Sequence, residues 1–159
     1  MPQEQRFDKV KFRQRIEEVT TDINLYSQSA TNLLLGTCAQ ESTFGKYNQQ
    51  LGGGPALGPF QMEPFTMRDI WNNFLAYKDS LCERIYEEYG YTEANNDLLQ
   101  YDVDYGIIMC RVHYLRVKER LPEADDIEAL ARYWKKYYNT YKGKGKVEEF
   151  IKNYNRYVL

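Results

Sequence analysis

One glutamate, Glu41, lies at the end of an apolar segment and just before a loop rich in glycine. Residues 30–42 predict a buried helix, because their Ala, Leu and Cys side chains leave almost no polar face. Glu41 shares a helical face with Thr37 and Cys38, which precede it by four and three residues. Burial disfavours the charged form of a carboxyl group. We therefore expect a raised pKa for Glu41 and a role as general acid.

The loop after Glu41 is suited to binding a polymer. Five of the ten glycines fall within 14 residues, namely Gly45, Gly52, Gly53, Gly54 and Gly58. Glycine adopts positive φ angles and lets a backbone approach a ligand closely. Gln61 then supplies an amide that can donate to and accept from sugar hydroxyls or an N-acetyl group. The loop therefore supports the role of Glu41 as an acid beside a bound ligand.

Two motifs of this region resemble a known family. They are Glu41-Ser42-x-Phe44 and Ala56-Leu57-Gly58-Pro59-Phe60-Gln61-Met62-x-Pro64-x-Thr66. Both are similar to the Glu-Ser and Gly-Leu-Met-Gln-x-x-Pro-x-Thr signatures of soluble lytic transglycosylases, which are relatives of goose-type lysozymes. In this chain Pro59-Phe60 stands where the family usually has Leu-Met.

Two later segments add to the resemblance. Residues 101–107 and Tyr114-Leu115 are similar to the family's helix that contains Asp-Pro-x-x-Asn-Ile and ends in Tyr-Leu. Residues 129–133 and Tyr137-Tyr138-Asn139, followed by Gly143, Gly145 and Val147, resemble its Ala-Tyr-Asn-x-Gly segment. The resemblance covers roughly residues 30–154 and implies a mainly α, lysozyme-like domain with a glycine-rich loop or short β-element after the catalytic helix. It implies catalysis by Glu41 and substrate binding by Ser42, Gln61, Met62, Tyr138 and Asn139.

The activity that the resemblance implies is cleavage of peptidoglycan. Glu41 would protonate the oxygen between N-acetylmuramic acid and N-acetylglucosamine, then act as base on the muramyl C6 hydroxyl, so that a 1,6-anhydro sugar forms. One carboxyl group suffices, and we expect no metal and no other cofactor. The expected partners are glycan strands of the bacterial cell wall.

Two alternatives stay open. A goose-type hydrolase that inverts needs a second carboxylate, about 6.5 to 9.5 Å from the acid, to activate water, and Glu63 is the candidate. Glu63 is otherwise a favourable charge at a helix N-terminus beside Pro64, which is the favoured role. The second alternative is a virion or secretion-apparatus component whose lysozyme-like domain mainly binds or locally opens the wall.

Composition predicts one globular domain over residues 1–159, with residues 1–29 as a helical extension packed on it. Hydrophobic residues at 43% and charged residues at 28% are typical of such a domain, and no run reaches transmembrane length. The opening residues 1–6 have no apolar stretch behind them. We expect synthesis in the cytoplasm, no membrane insertion, and action on the wall as a phage lysin or virion component.

Charge is unevenly distributed along the chain, whose net charge is −2. Residues 132–156 hold eight Lys or Arg against two Glu, giving +6, so the remainder is near −8. A basic end can attract the protein to an anionic wall or simply solvate a helix face. The acidic remainder argues against nucleic acid as a partner.

The cysteines and the histidine give no metal-ligand pattern. Cys38, Cys82 and Cys110 are odd in number and lie among apolar neighbours, which favours free thiols over a disulfide or a metal site. His113 has no His or Cys companion nearby in sequence, so we expect a structural or surface residue.

Apolar periodicity predicts helices along most of the chain. A first amphipathic helix carries Phe12, Ile16, Val19 and Ile23, and Pro64 begins another. A third pattern continues until Gly90, and a long helix is predicted over residues 97–121, ended by Pro122. Asp126 is predicted to cap the next helix, and the last follows Gly145.

Aromatic residues cluster beside the Asn139 motif. They are Tyr133, Trp134, Tyr137, Tyr138 and Tyr141. Aromatic faces stack on sugar C–H surfaces, so the cluster could line a saccharide groove. A place in the core is the favoured alternative for all of them except Tyr138.

Overall fold

A computed structural model describes residues 6–140 and 143–159, which are mainly helical. Eight α-helices lie in these two ranges: α1 (Lys9–Asp22), α2 (Gln28–Ser42), α3 (Pro64–Asn73), α4 (Asp79–Tyr89), α5 (Asn96–Tyr101), α6 (Val103–Leu115), α7 (Ile127–Trp134) and α8 (Val147–Tyr157). None of these helices is long and apolar enough to cross a membrane. The mainly α class predicted from the sequence is confirmed.

The predicted buried helix is α2, and it is the central element of the fold. Ser27 caps it by accepting a hydrogen bond from the backbone N–H of Ala30 at 3.0 Å. The helix packs against α1, α6, α7 and α8. Gly36 lets α8 approach, because a Cβ there would lie 2.3 Å from Cζ of Phe150. These contacts hold the C-terminal end of α2, which carries Glu41, in a fixed position.

The N-terminal helix α1 shares the core of the remaining domain. Asp8 caps it, as its carboxylate accepts from the N–H groups of Val10 and Lys11. Phe12 contacts the rings of Phe44 and Phe60, with centroids 5.6 and 6.2 Å away. Residues 6–29 are therefore packed on the part of the chain that carries the sequence motifs.

The predicted long helix over residues 97–121 is wrong. Two helices, α5 and α6, are separated at Asp102, whose backbone is extended with φ −97° and ψ 105°. The Asp102 carboxylate accepts from Tyr105 N–H at 3.2 Å and from the Tyr91 hydroxyl at 2.7 Å. The side chain thus caps α6 and prevents α5 from continuing. α6 then ends at Leu115, before the predicted stop at Pro122.

The predicted boundaries at Pro64, Gly90, Asp126 and after Gly145 are confirmed, whereas α2 begins at Gln28, two residues before its predicted start. Pro64 is the first residue of α3, and Gly90 ends α4 with φ 76°. Asp126 caps α7 by accepting from Ala129 N–H at 3.0 Å. α7 ends in a π-helical turn, Lys135–Asn139, and α8 follows Lys146.

The glycine-rich loop contains the expected irregular β-element. Leu57 forms isolated antiparallel bridges with Gln49 and with Met62. Gly58 is required at its position, because its φ is +79° and a Cβ would lie 2.2 Å from the carbonyl oxygen of Leu99. The loop is therefore anchored to the end of α5, and it faces the end of α2.

Candidate active site

A cleft of about 760 Å³ lies between the end of α2, the glycine-rich loop and the segment after α7. Its lining includes Glu41, Gln61, Met62, Glu63, Tyr138 and Asn139. The structure therefore brings together six of the seven predicted site residues, although they come from positions almost 100 apart in the sequence. Ser42 is the exception.

Glu41 is half-buried, with its carboxyl group held by a neighbouring indole. Trp134 Nε1 donates to Glu41 Oε2 at 3.0 Å. Burial raises the pKa of Glu41 to about 7, against opposing effects of the Trp134 hydrogen bond and the positive charge of Lys135. A carboxyl group with a pKa near 7 can hold a proton and release it at neutral pH.

Gln61 faces the cleft from a strained backbone position. Its φ is 47°, in the left-handed region, and its Nε2 donates to the carbonyl oxygen of Gly58 at 2.9 Å. This internal bond fixes the side chain and leaves the amide oxygen able to accept a hydrogen bond from a ligand. Met62 lies next to it and is almost fully buried, so it offers only part of its side chain to the cleft.

Ser42 is fully buried and does not line the cleft. Its hydroxyl donates to Cys38 O at 3.1 Å and accepts from Gly45 N–H at 2.8 Å. The two residues between Ser42 and Gly45 have positive φ, 52° at Thr43 and 58° at Phe44. Ser42 therefore holds the tight turn that ends α2, and its placement gives no support to the predicted contact with substrate.

Tyr138 lines the cleft where the π-helical turn meets the glycine-rich loop. Its hydroxyl donates to the carbonyl oxygen of Phe60 at 2.5 Å. Its ring stacks on Tyr114, with centroids 5.5 Å apart, and meets the edge of His113 at 4.9 Å. Burial raises the pKa of Tyr138 well above its usual value, so the hydroxyl stays protonated. Tyr138 thus joins the π-helical turn to the glycine-rich loop.

Asn139 ends the π-helical turn, and its side chain is already hydrogen-bonded within the protein. Asn139 Oδ1 accepts from Lys135 Nζ at 2.6 Å. The same ammonium donates to the carbonyl oxygens of Gly143 at 3.0 Å and Gly145 at 2.6 Å. π-Helical turns inside helices are frequent at functional sites.

Glu63 lies on the rim of the cleft and is exposed. It occupies the N-cap position of α3, but its side chain makes no capping hydrogen bond. Its charge can still act favourably on the helix N-terminus, as the sequence favours. The carboxylate is also accessible to a ligand, so the placement is compatible with both roles predicted for Glu63.

His113 contributes to the cleft as a structural residue. Its Nδ1 accepts from Arg116 at 3.0 Å, so Nε2 carries the proton and donates to Tyr137 O at 2.9 Å. Arg116 also donates to Asp69 at 2.7 Å. Burial lowers the pKa of His113 to about 4, which leaves the imidazole neutral at pH 7. This chain of bonds supports the turn that carries Tyr138.

The aromatic cluster divides between core and cleft. Tyr133 and Trp134 are buried, and Tyr137 is partly buried, while Tyr138 lines the cleft. Tyr141 lies outside the described residues. The hydrogen bond from Trp134 to Glu41 was not predicted from the sequence. The spacing of apolar residues along α7 indicated that Trp134 is buried, but nothing in the sequence indicates that it contacts Glu41.

The three cysteines of the chain are free thiols. Cys38 and Cys110 are free and fully buried, and Cys82 is free and half-buried. Burial raises the pKa of Cys38 to about 12, so its thiol is neutral. Among residues 6–140 and 143–159, no group of three or more His, Cys, Asp or Glu side chains is arranged to hold a metal ion.

Comparison of the chain with protein-family models, with curated proteins and with solved structures gave no match. The site must therefore be interpreted from its own geometry. It consists of one carboxyl group with a pKa of about 7, an amide and an aromatic side chain that line a cleft of about 760 Å³. Such a constellation can transfer a proton to a bound polar molecule.

Proposed function

We propose that this protein cleaves peptidoglycan as a lytic transglycosylase, with Glu41 as its acid and base. The observation that carries the proposal is the Glu41 carboxyl group, whose burial raises its pKa to about 7 at the wall of an open cleft. The motifs around Glu41 and Gln61 support the same assignment, and they support a lysozyme-like fold class for the helical domain.

The reaction needs two proton transfers through one carboxyl group. Protonated Glu41 gives its proton to the glycosidic oxygen as the bond from that oxygen to C1 of the muramyl sugar breaks. The resulting carboxylate then takes the proton of the C6 hydroxyl, whose oxygen bonds to C1. Trp134 Nε1 hydrogen-bonds to the Glu41 carboxyl at 3.0 Å and holds its orientation through both steps. Glu41 ends protonated and ready for another cycle.

Hydrolysis is the second candidate, and one observation favours it. Glu63 lines the cleft with an exposed side chain that caps no helix N–H group. It could activate a water if it lies on the opposite face of the sugar. The products separate the two reactions, because hydrolysis adds one water that the anhydro reaction does not.

A wall-binding component of a virion or secretion apparatus remains the alternative without independent enzymatic activity. It predicts that the purified protein binds peptidoglycan and releases no soluble fragments. The proposed lysin, whether it acts freely or as part of a virion, releases them.

The test is clearing of purified peptidoglycan by the protein and by Glu41→Gln. The substitution keeps the shape of the side chain and removes its transferable proton, so turnover should fall by roughly 10² to 10⁴. Circular dichroism should show that the variant is folded. Clearing at the wild-type rate by folded Glu41→Gln would refute the assignment, and a wild-type protein that binds without clearing would favour the wall-binding component.

A further inference from the structure

Lys135 fixes one wall of the cleft through a single ammonium group. Its Nζ donates to Asn139 Oδ1 at 2.6 Å, to Gly143 O at 3.0 Å and to Gly145 O at 2.6 Å. An ammonium group has three N–H donors, so the full set is used. The three acceptors lie on both sides of residues 141–142, and all three residues line the cleft.

The same wall is closely packed against the residue that holds the acid. A Cβ at Gly145 would lie 2.6 Å from Cη2 of Trp134, and one at Gly143 would lie 2.4 Å from Asn139 Oδ1. The chain can approach this closely because these positions are glycine. Trp134, Lys135 and the wall therefore form one packed unit, and the Trp134 indole of that unit donates to Glu41.

We propose that Lys135 is a positioning residue, which holds the wall of Asn139, Gly143 and Gly145 in place and keeps a fixed positive charge near Glu41. Its role in turnover rests on the proposed function. Its effect on the wall and on the ionisation of Glu41 does not, because both follow from contacts within the free protein.

Most titratable groups that act on Glu41 from the surrounding elements are neutral. Cys110 and Tyr114 of α6 and Tyr138 of the π-helical turn are buried, and burial raises the pKa of each well above its usual value. His113, which also lines the cleft, is neutral at pH 7 because burial lowers its pKa to about 4. These groups add no charge beside the acid near neutral pH.

The charged groups on the rim of the cleft are separated from Glu41 by solvent, which weakens their effect on its pKa. Glu63 and Lys144 line the cleft but are exposed, so solvent and salt screen their effect on Glu41. From α8, the uncharged amide of Asn153 donates to Gln40 at 2.6 Å. The Trp134 hydrogen bond lowers the pKa of Glu41 against the effect of burial, and the positive charge of the half-buried Lys135 lowers it further.

Removing the positive charge of Lys135 should therefore change the pKa of Glu41 in one direction. A nearby positive charge favours the carboxylate, so Lys135→Met should raise the pKa of Glu41. Protonated Glu41 would then persist to higher pH, and the alkaline limb of the activity profile would move upwards. Turnover at its optimum should fall, because the wall loses three hydrogen bonds.

The direct measurement is the NMR signal of the Trp134 indole N–H as pH is varied. The chain has two tryptophans, and Trp71→Phe assigns the signals. The Trp134 signal should follow Glu41 with a midpoint near pH 7 in the wild type and at a higher pH in Lys135→Met. Lys136→Met is the matched control, since Lys136 is exposed on the same turn and bonds to Glu119. An equal midpoint in Lys135→Met and in the wild type would overturn the proposal.

A second variant separates charge from geometry and remains informative if Lys135→Met does not fold. Lys135→Arg keeps the charge, but a planar guanidinium cannot direct donors at the same three acceptors. The midpoint should stay near the wild-type value, while exchange of the Gly143 amide, which donates to Thr140 O at 3.2 Å, should accelerate. Unchanged exchange, or a midpoint shifted upwards, would contradict the proposal. Neither readout requires substrate, so a wild-type protein without activity would refute the proposed function and leave this test intact.

Discussion

At the scale of single residues, Glu41 combines two properties that oppose each other. Burial in the wall of the cleft disfavours the charged form of its carboxyl group. The hydrogen bond from Trp134, at 3.0 Å, favours that form. The sequence predicted the raised pKa from the apolar face of α2. It could not predict Trp134 or Lys135 as neighbours, because they lie more than 90 residues away and approach only through the packing of α7 on α2.

The pKa of Glu41 predicts how stability depends on pH. The folded protein holds the Glu41 proton up to about pH 7, whereas the unfolded chain releases it near the ordinary glutamate pKa of 4.5. The unfolded state therefore ionises first, and this group makes folding less favourable as pH rises through that window. Glu41→Gln should gain stability over the wild type by as much as about 3 kcal/mol between acid and alkaline pH. Urea unfolding at both pH values measures the gain, and a pH-independent difference would contradict the raised pKa.

Gln61 and Tyr138 are expected to orient a saccharide without transferring its proton. Gln61→Ala removes one amide from the cleft, and Tyr138→Phe removes the hydroxyl that donates to Phe60 O at 2.5 Å. Each loss of about one hydrogen bond should reduce turnover roughly tenfold, well short of the effect of Glu41→Gln. Initial rates on one batch of peptidoglycan measure all three variants. Either substitution matching Glu41→Gln would reverse the assignment of roles.

At the scale of elements, the sequence predicted helix boundaries that depend on neighbouring residues and missed those that depend on distant contacts. Capping by Asp126 and the start of α3 at Pro64 depend on neighbours in sequence, so they could be predicted. The division between α5 and α6 depends on Asp102 accepting from Tyr91, which belongs to another segment. The π-helical turn is held by Lys135 bonding to carbonyls eight and ten residues later, which periodicity does not reveal.

The start of α3 carries the prediction that concerns Glu63. If its carboxylate only complements the helix N-terminus, Glu63→Gln should cost at most about 1 kcal/mol of stability and leave turnover largely intact. If Glu63 activates water, the same change should remove most of the activity, because hydrolysis requires that group. We expect the first result. Thermal unfolding and rates on peptidoglycan measure the two effects separately.

At the scale of the whole molecule, the cleft exists because α2 is enclosed by four helices that hold its end against the loop and the π-helical turn. The sequence predicted the mainly α class and the irregular loop, and six of its seven candidate site residues line the cleft. Sequence alone does not decide the place of Ser42, because a hydroxyl next to the acid can either face a ligand or hold the chain. The buried contacts with Cys38 and Gly45 decide this for Ser42.

Mass analysis of the fragments released from purified peptidoglycan tests the central claim most directly. Attack by the muramyl C6 hydroxyl gives 1,6-anhydro ends, whereas hydrolysis gives reducing ends heavier by one water. We predict anhydro fragments from the wild type and from Glu63→Gln, and almost none from Glu41→Gln. Reducing-end fragments that disappear in Glu63→Gln would make the protein a hydrolase with two carboxylates and would contradict catalysis by Glu41 alone.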